Sequence, residues 1–282
     1  MRFRTEIENI HGSFEISHRD KIVLIGSCFA DNIGTLLEKS GFDVTHNPLG
    51  PLFNPQSVGH VLGRGGEKYK EKDFILHSGT WHCLYYANRY QSTDAATLAQ
   101  MVNKDYVALA ESLAAADVLV ITLGTSKVYR LNGTTAGNCH KLPGTIFSED
   151  YLDVDAAVES IVSSIDKIAK SKRVIITLSP VRYPGEGLSK GFLAKATLRV
   201  AIDKICCLTG ADYFPAFEIV NDDLRDYRFY APDMRHPSDQ AIEYIYEKFG
   251  ETYFSENTIK EAEKYRKLAL HGAHRPIITD KK

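Results

Sequence analysis

The chain has 282 residues, 44% of them hydrophobic, enough for one sizeable core. Its 34 basic and 36 acidic residues leave a formal net charge of -2, so no global field recruits nucleic acid or an acidic membrane surface. The longest apolar runs are of strand length, far too short to span a bilayer, and the five cysteines form an odd count without C-x-x-C spacing, which argues against a disulfide framework or a zinc ribbon and fits a reducing compartment.

The first residues turn acidic without an apolar stretch, so no signal peptide is expected and the cytoplasm is the expected compartment. Residues 21–25 read as a strand buried on both sides, because they are apolar without alternation. Residues 31–40 read as a helix with Ile33, Leu36 and Leu37 on one face. A short strand at 42–45 follows, then a short helix at 55–62 that starts with proline. Residues 74–86 predict a hairpin turning at Ser78-Gly79. A long helix at 94–115, capped by Thr93 or Asp94, leads into a central strand at 118–123. A second small hairpin is expected over 128–135, a helix over 154–169 and a buried strand over 173–178. A helix at 189–208, a short strand at 213–214 and a helix capped by Ser238 and running to about 254 complete the pattern. The segment 259–270 is helical in pattern but highly charged, and the end of the chain from 273 is expected to be mobile. Alternating strands and helices predict a mostly parallel sheet with helices on both faces. The expected organisation is one domain over 1–255 and a charged helical tail over 256–282.

Ser27 stands where the first strand turns into the first helix. A serine there is either a nucleophile, with helix amides nearby to stabilise an oxyanion, or the N-cap of the helix. Cys28 is a rival nucleophile, read as a packed and inert thiol. Far downstream, Asp233 and His236 lie three residues apart before the last amphipathic helix. They are either an orienting acid and a base, or a surface loop with a capping aspartate. The segment Asn138-Cys139-His140-Lys141 either lines a pocket or forms a structural turn. Arg182 follows a strand end, where a guanidinium either binds an anionic group or makes a rim salt bridge. Gly185-Glu186-Gly187 makes a flexible loop. The histidines at 77, 82 and 140 have no metal-binding spacing, so no metal is expected.

Gly26-Ser27-Cys28-Phe29-Ala30 carries a resemblance to the signature of the GSCFA family, which looks like a branch of the SGNH (GDSL-like) hydrolase superfamily. Six further blocks follow in order: Asn47-Pro48-Leu49-Gly50, Phe53-Asn54-Pro55, Ile121-Thr122-Leu123-Gly124-Thr125, Asn138-Cys139-His140-Lys141, Leu178-Ser179-Pro180 and Asp226-Tyr227-Arg228-Phe229-Tyr230. The resemblance implies a three-layer α/β/α sandwich with a parallel, flavodoxin-like sheet of strand order 2-1-3-4-5, here with inserted hairpins and the helical tail. It implies Ser27 as the nucleophile, His236 as its base and Asp233 as the residue that orients His236. The Ser27 amide is one expected oxyanion donor, and Gly50 falls where the superfamily places a second. The superfamily's third-block asparagine is absent: Ser126 stands there after Gly124, which leaves Asn54 and Asn138 as candidate donors. Asn54, Gly124, Ser126, Asn138, His140 and Arg182 are the expected substrate-binding residues. The implied activity is hydrolysis of an acyl ester, acetyl above all, of a carbohydrate or related metabolite through an acyl-enzyme, with no cofactor. The expected partner is a small-molecule or glycan ester, with no nucleic acid and no membrane. An acyltransferase using the same site and a non-catalytic carbohydrate-binding module are the alternatives.

Overall fold

The apolar run after Lys21 is extended because it forms the centre of a sheet and is covered from both sides. A computed structural model describes residues 4–8, 10–168, 172–183 and 187–273. Its elements in chain order are β1 (Lys21–Gly26), α1 (Cys28–Lys39), β2 (Asp43–His46), α2 (Pro55–Gly63), β3 (Ile75–His77), β4 (Thr80–His82), β5 (Gln91–Ser92), α3 (Ala95–Ala115), β6 (Val118–Leu123), β7 (Lys127–Leu131), β8 (Thr134–Ala136), β9 (Ser148–Tyr151), α4 (Val154–Ile168), β10 (Arg173–Leu178), α5 (Leu188–Thr209), β11 (Asp212–Phe214), α6 (Ala216–Glu218), α7 (Asp239–Tyr253) and α8 (Glu256–Ala273).

The main sheet has five strands in the order β2-β1-β6-β10-β11, and every pair is parallel. Counting only its strands, that order is the 2-1-3-4-5 implied by the resemblance. Odd and even residues of each strand face opposite layers. Val23, Ile25, Leu119, Ile121 and Ile176 pack with Val58 of α2, Val102 of α3, Ile161 of α4 and Ile202 of α5. Ile22, Leu24, Val118, Val120 and Ile175 pack with Leu37 of α1 and with Ile245 and Phe249 of α7. The fold is therefore a three-layer α/β/α sandwich, as expected. Neither face is left for polar side chains, which is why the strands read as continuous apolar runs.

Local chemistry sets most of the boundaries. Asp94 caps α3 by accepting from the Thr97 amide at 2.7 Å, and Ser238 caps α7 by accepting from the Ala241 amide. Gly210, at φ 72°, ends α5. The β3–β4 hairpin turns at Ser78 and Gly79, both with positive φ. Helix α1 starts at Cys28, three residues before the expected start. The second hairpin is larger than expected: β9 pairs with β7 on the side opposite β8, making a three-stranded sheet. Its residues read Ser-Glu-Asp-Tyr and are exposed, so no apolar alternation marks them as a strand. Helix α8 packs on the body through Ala262, which is buried, and through an Arg266–Glu243 ion pair at 2.6 Å. The loop expected at 185–187 and the chain end from 273 fall mostly on 185–186 and 274–282, which lie outside the described residues. No helix of the described residues is long and apolar enough to cross a membrane.

The strand order reverses between β1 and β6, because β2 lies on one side of β1 and the rest of the sheet on the other. At such a switch point the connections leave a crevice at the carboxyl edge, where open α/β sheets bind ligands. Gly26 ends β1 at this point with φ +146°, and a Cβ there would lie 2.1 Å from the Thr122 carbonyl oxygen of β6. Gly26→Ala is therefore expected to lower folding stability by about 3 kcal/mol or more. Gly144→Ala, where a Cβ meets nothing within 4 Å, is the control, expected to change stability by less than about 0.5 kcal/mol. Urea unfolding of the two variants checks both values.

Candidate active site at the β1–β6 switch point

Ser27 follows β1 directly, and its hydroxyl accepts from the Phe29 amide at 3.3 Å. It is thus the N-cap of α1, and its position at the carboxyl edge is the one expected of a nucleophile. The cap does not exclude the other reading, since a serine in this position can serve both roles. The side chain is fully buried. Each backbone polar group of Gly26 and Ser27 has a partner. The Gly26 amide donates to Asn47 Oδ1 at 2.9 Å, and the Gly26 carbonyl accepts from the Leu52 amide at 2.7 Å. The Ser27 amide donates to the Thr122 carbonyl at 3.0 Å. The Ser27 carbonyl accepts from Asn47 Nδ2 at 3.2 Å and from the Ala30 amide at 2.9 Å.

This network corrects the expected oxyanion hole. The Ser27 amide continues the β1–β6 ladder and is unavailable to substrate. The Gly50 amide closes a turn onto the Asn47 carbonyl at 2.8 Å, and Gly50 itself, at φ +93°, lies so close to Ala87 that a Cβ would approach its Cβ to 2.5 Å. Neither amide points freely into the crevice. The Cys28 N–H is different: it is the first amide of α1, where no intrahelical acceptor exists. The positive end of the helix is concentrated there.

Asn47 was not among the expected site residues, yet it ties the turn together from both ends. It adopts φ 37°, and asparagine is among the few non-glycine residues that do so readily. The sequence signal for it was an asparagine just after a strand and just before a proline. The 47–54 loop also reaches the third block. The Phe53 carbonyl accepts from the amides of Gly124 and Thr125 at 2.7 and 3.0 Å, so Gly124 serves as a backbone joint.

Asn54, Ser126, Asn138 and His140 each make hydrogen bonds within the protein. Asn54 caps α2 by accepting from the Ser57 amide at 2.9 Å. Ser126 is buried, and its carbonyl accepts from the Leu152 amide at 2.8 Å. Asn138 Oδ1 accepts from the His140 amide at 2.8 Å. His140 is buried, with Nε2 3.0 Å from the Tyr86 carbonyl and Nδ1 3.3 Å from His82 Nδ1. A carbonyl can only accept, so His140 carries its proton on Nε2 and His82 donates between the two rings. Burial lowers the pKa of both histidines; nearby His77 lowers that of His82 further, and His82 that of His140. Among the described residues no group of three or more His, Cys, Asp or Glu is placed to hold a metal ion.

The Asp233 and His236 side chains meet as expected. Asp233 Oδ2 lies 2.6 Å from His236 Nδ1, while Oδ1 accepts from the amides of Arg235 and His236 at 2.9 and 3.0 Å. These hydrogen bonds, the one to His236 foremost, hold the Asp233 carboxyl well below the usual carboxylate range. With Nδ1 donating to Asp233, His236 presents Nε2 as its acceptor. The loop is docked to the sheet edge through the Arg235 carbonyl, which accepts from the Arg182 amide at 2.9 Å. Arg182 follows β10, so His236 and Ser27 stand at the same carboxyl edge. No hydrogen bond joins them in this structure. Cys28 is half-buried; burial and Asp31 push its thiol up, against the pull of the first helix amides, as suits an unreactive cysteine.

The three-layer α/β fold thus carries a helix-capping serine at the switch point and an Asp-His pair on the same edge. The profile of the GSCFA family matches residues 21–249, and the chain belongs to that family. No curated protein matches it. Among solved structures it is similar to a carbohydrate acetylesterase family member from Sinorhizobium meliloti, with 11% identity and a TM-score of 0.39 over 81% of this chain and 94% of that one. It is also similar to a protein from Lactobacillus plantarum, with 12% identity and a TM-score of 0.41 over 87% of this chain and 100% of that one.

Asn47→Ala removes the acceptor of the Gly26 amide and a donor to the Ser27 carbonyl, and places alanine at a positive φ. It is expected to cost about 2–3 kcal/mol of stability. Asn47→Asp keeps the acceptor and loses the donor, so chemical denaturation should place it between the wild type and the alanine variant.

Proposed function

We propose that the chain is a serine esterase that removes an acyl group, acetyl above all, from a carbohydrate or related metabolite. The observation that carries this reading is the Asp233–His236 pair at 2.6 Å, docked on the sheet edge where Ser27 caps α1. Ser27 Oγ attacks the acyl carbonyl while His236 Nε2 takes its proton. Asp233 holds the imidazole tautomer and offsets the charge that forms on it. His236 then returns the proton to the leaving alcohol, and water repeats the sequence on the acyl-enzyme. The contact between Ser27 and His236 forms with substrate bound, as catalytic hydrogen bonds often tighten only in the complex. With the Ser27 and Gly50 amides engaged, the Cys28 N–H at the head of α1 is the donor nearest the developing oxyanion, the same relation that an amide following the nucleophile has in other serine hydrolases. The carbohydrate ester comes from the superfamily resemblance, and water as the acyl acceptor is the simplest case of it.

The engaged amides favour a second reading, a non-catalytic carbohydrate-binding module that keeps the crevice without turnover. Active-site labelling separates the two. Under the esterase reading a fluorophosphonate probe labels the wild type and the Cys28→Ala variant, and fails on Ser27→Ala. An unlabelled wild type would sink the esterase and favour the module. His236→Ala is expected to lower kcat on p-nitrophenyl acetate by about 10⁴ or more, in the range seen when a triad base is removed. Asp233→Asn should cost less, because the histidine amide and loop still position the ring. Steady-state kinetics on these two variants measures the ranking, and an active His236→Ala enzyme removes that residue from the mechanism.

A further inference from the structure

Lys195 lies on α5 with its side chain buried. Its Nζ donates to the Ser179 carbonyl at 2.6 Å, just beyond the carboxyl end of β10. An ammonium has three donors, and that hydrogen bond satisfies one of them. Two aromatic rings stand near it, Tyr183 with its centroid at 5.6 Å and Phe217 at 5.8 Å. Among the described residues no carboxylate lies within ion-pair distance of Lys195 or of Arg182. A buried ammonium without a counter-charge is costly, and burial pulls the Lys195 pKa down to about 7. A methionine would fill the same space without that cost.

The amine lines a cavity of about 140 Å³ together with Arg182, Tyr183, Phe192, Phe217 and Asn221. The Arg182 guanidinium lies 4.4 Å from the centroid of the Tyr230 ring and 5.6 Å from that of Tyr227. The cavity is joined to the candidate active site through Arg182, whose amide donates to the Arg235 carbonyl next to His236. Lys195 and Arg182, neither with a carboxylate within ion-pair distance among the described residues, both line this aromatic-walled cavity, which suits a planar anion carried on an apolar or sugar ring.

The geometry points to this cavity as a subsite for a carboxylate of the substrate, paired by Lys195 and Arg182, so that the preferred esters are those of acidic sugars or similar carboxylate-bearing metabolites. This substrate class presupposes the esterase reading above, whereas the anion site itself does not. Binding a carboxylate requires the charged amine, so binding takes up protons and weakens as pH rises above about 7. The other titratable groups facing Lys195 are Cys28 from α1 and Arg182 and Tyr183 from the loop after β10. Glu218, beside Phe217, is held by Arg199 and Tyr213 at 3.1 and 2.6 Å.

Calorimetric titration of the full chain with galacturonate, galactose and inorganic phosphate tests this. At pH 6.5 galacturonate should bind at least about tenfold more tightly than galactose and than phosphate. In Lys195→Met and Arg182→Gln its affinity should fall at least about tenfold, with each variant's fold checked by its thermal transition. On the wild type, affinity should fall by about tenfold per pH unit once above the amine's pKa. Equal binding of galacturonate and galactose, or undiminished galacturonate binding by a folded Lys195→Met, overturns the proposal. Phosphate binding more tightly than galacturonate overturns the carboxylate assignment. Should Lys195→Met fail to fold, Arg182→Gln and the wild-type pH series decide. Repeating the titration with Ser27→Ala keeps the two readings apart. Galacturonate binding without fluorophosphonate labelling removes the esterase and keeps the subsite, and labelling without galacturonate binding does the reverse.

Discussion

The turn from β1 into α1 at Gly26 and Ser27 is the constraint on which the rest of the site depends. It packs against the Thr122 carbonyl so closely that residue 26 has no room for a Cβ. A turn buried this deeply needs a partner for each backbone polar group, and the chain supplies them from three places: the ladder with β6, the first turn of α1 and the 47–54 loop. Asn47 contributes two of those bonds from a single side chain. The outer layers then follow. Phe53 joins the loop to Gly124 and Thr125, the Ala87 amide donates to the Leu49 carbonyl at 3.0 Å, and the Leu84 carbonyl accepts from the amides of Gly137 and Asn138. The two inserted hairpins thus brace the loop that braces the serine.

This arrangement separates rigidity from chemistry. Because the backbone of residues 26 and 27 is fully committed, what remains for a substrate is the Ser27 hydroxyl and the open amide end of α1. The Asp233–His236 loop is built on the opposite principle. It is half-exposed, with side-chain exposures of 45% for Asp233 and 42% for His236, and local hydrogen bonds rather than burial keep the carboxylate ionised. Under the proposed esterase reading, the buried serine and the half-exposed, self-oriented histidine come into contact with substrate bound.

Two groups near the crevice show how differently burial acts on charge. The Asp233 carboxylate is stabilised by donors from its own loop and pays little desolvation, so its pKa falls. The Lys195 ammonium has one carbonyl and no described carboxylate, so desolvation dominates and its pKa falls for the opposite reason, in favour of the neutral form. The first charge is complete within the protein. The second is completed by something the protein binds.

Much of the fold was legible in the chain. Apolar strands without alternation at 22–25, 118–123 and 173–178 required cover on both faces, and helix caps at Asp94 and Ser238 gave the segment starts, because these are local rules of solvation and hydrogen bonding. The Asp-x-x-His spacing placed both side chains in one turn, near enough for the 2.6 Å contact. The short β9 was invisible because exposed polar residues pair there through the backbone alone. The roles of Ser27, Gly50, Asn54 and Asn138 backbone and side-chain groups also could not be read, since a donor shows in sequence but its acceptor does not. Asn47 and Lys195 make the same point. Sequence alone fixed that an asparagine follows β2 and that a lysine sits in α5. Only the tertiary structure decided that the first closes the β1–α1 turn and that the second is buried with no carboxylate beside it among the described residues, because both facts depend on which distant carbonyls and rings the packed sheet brings within reach.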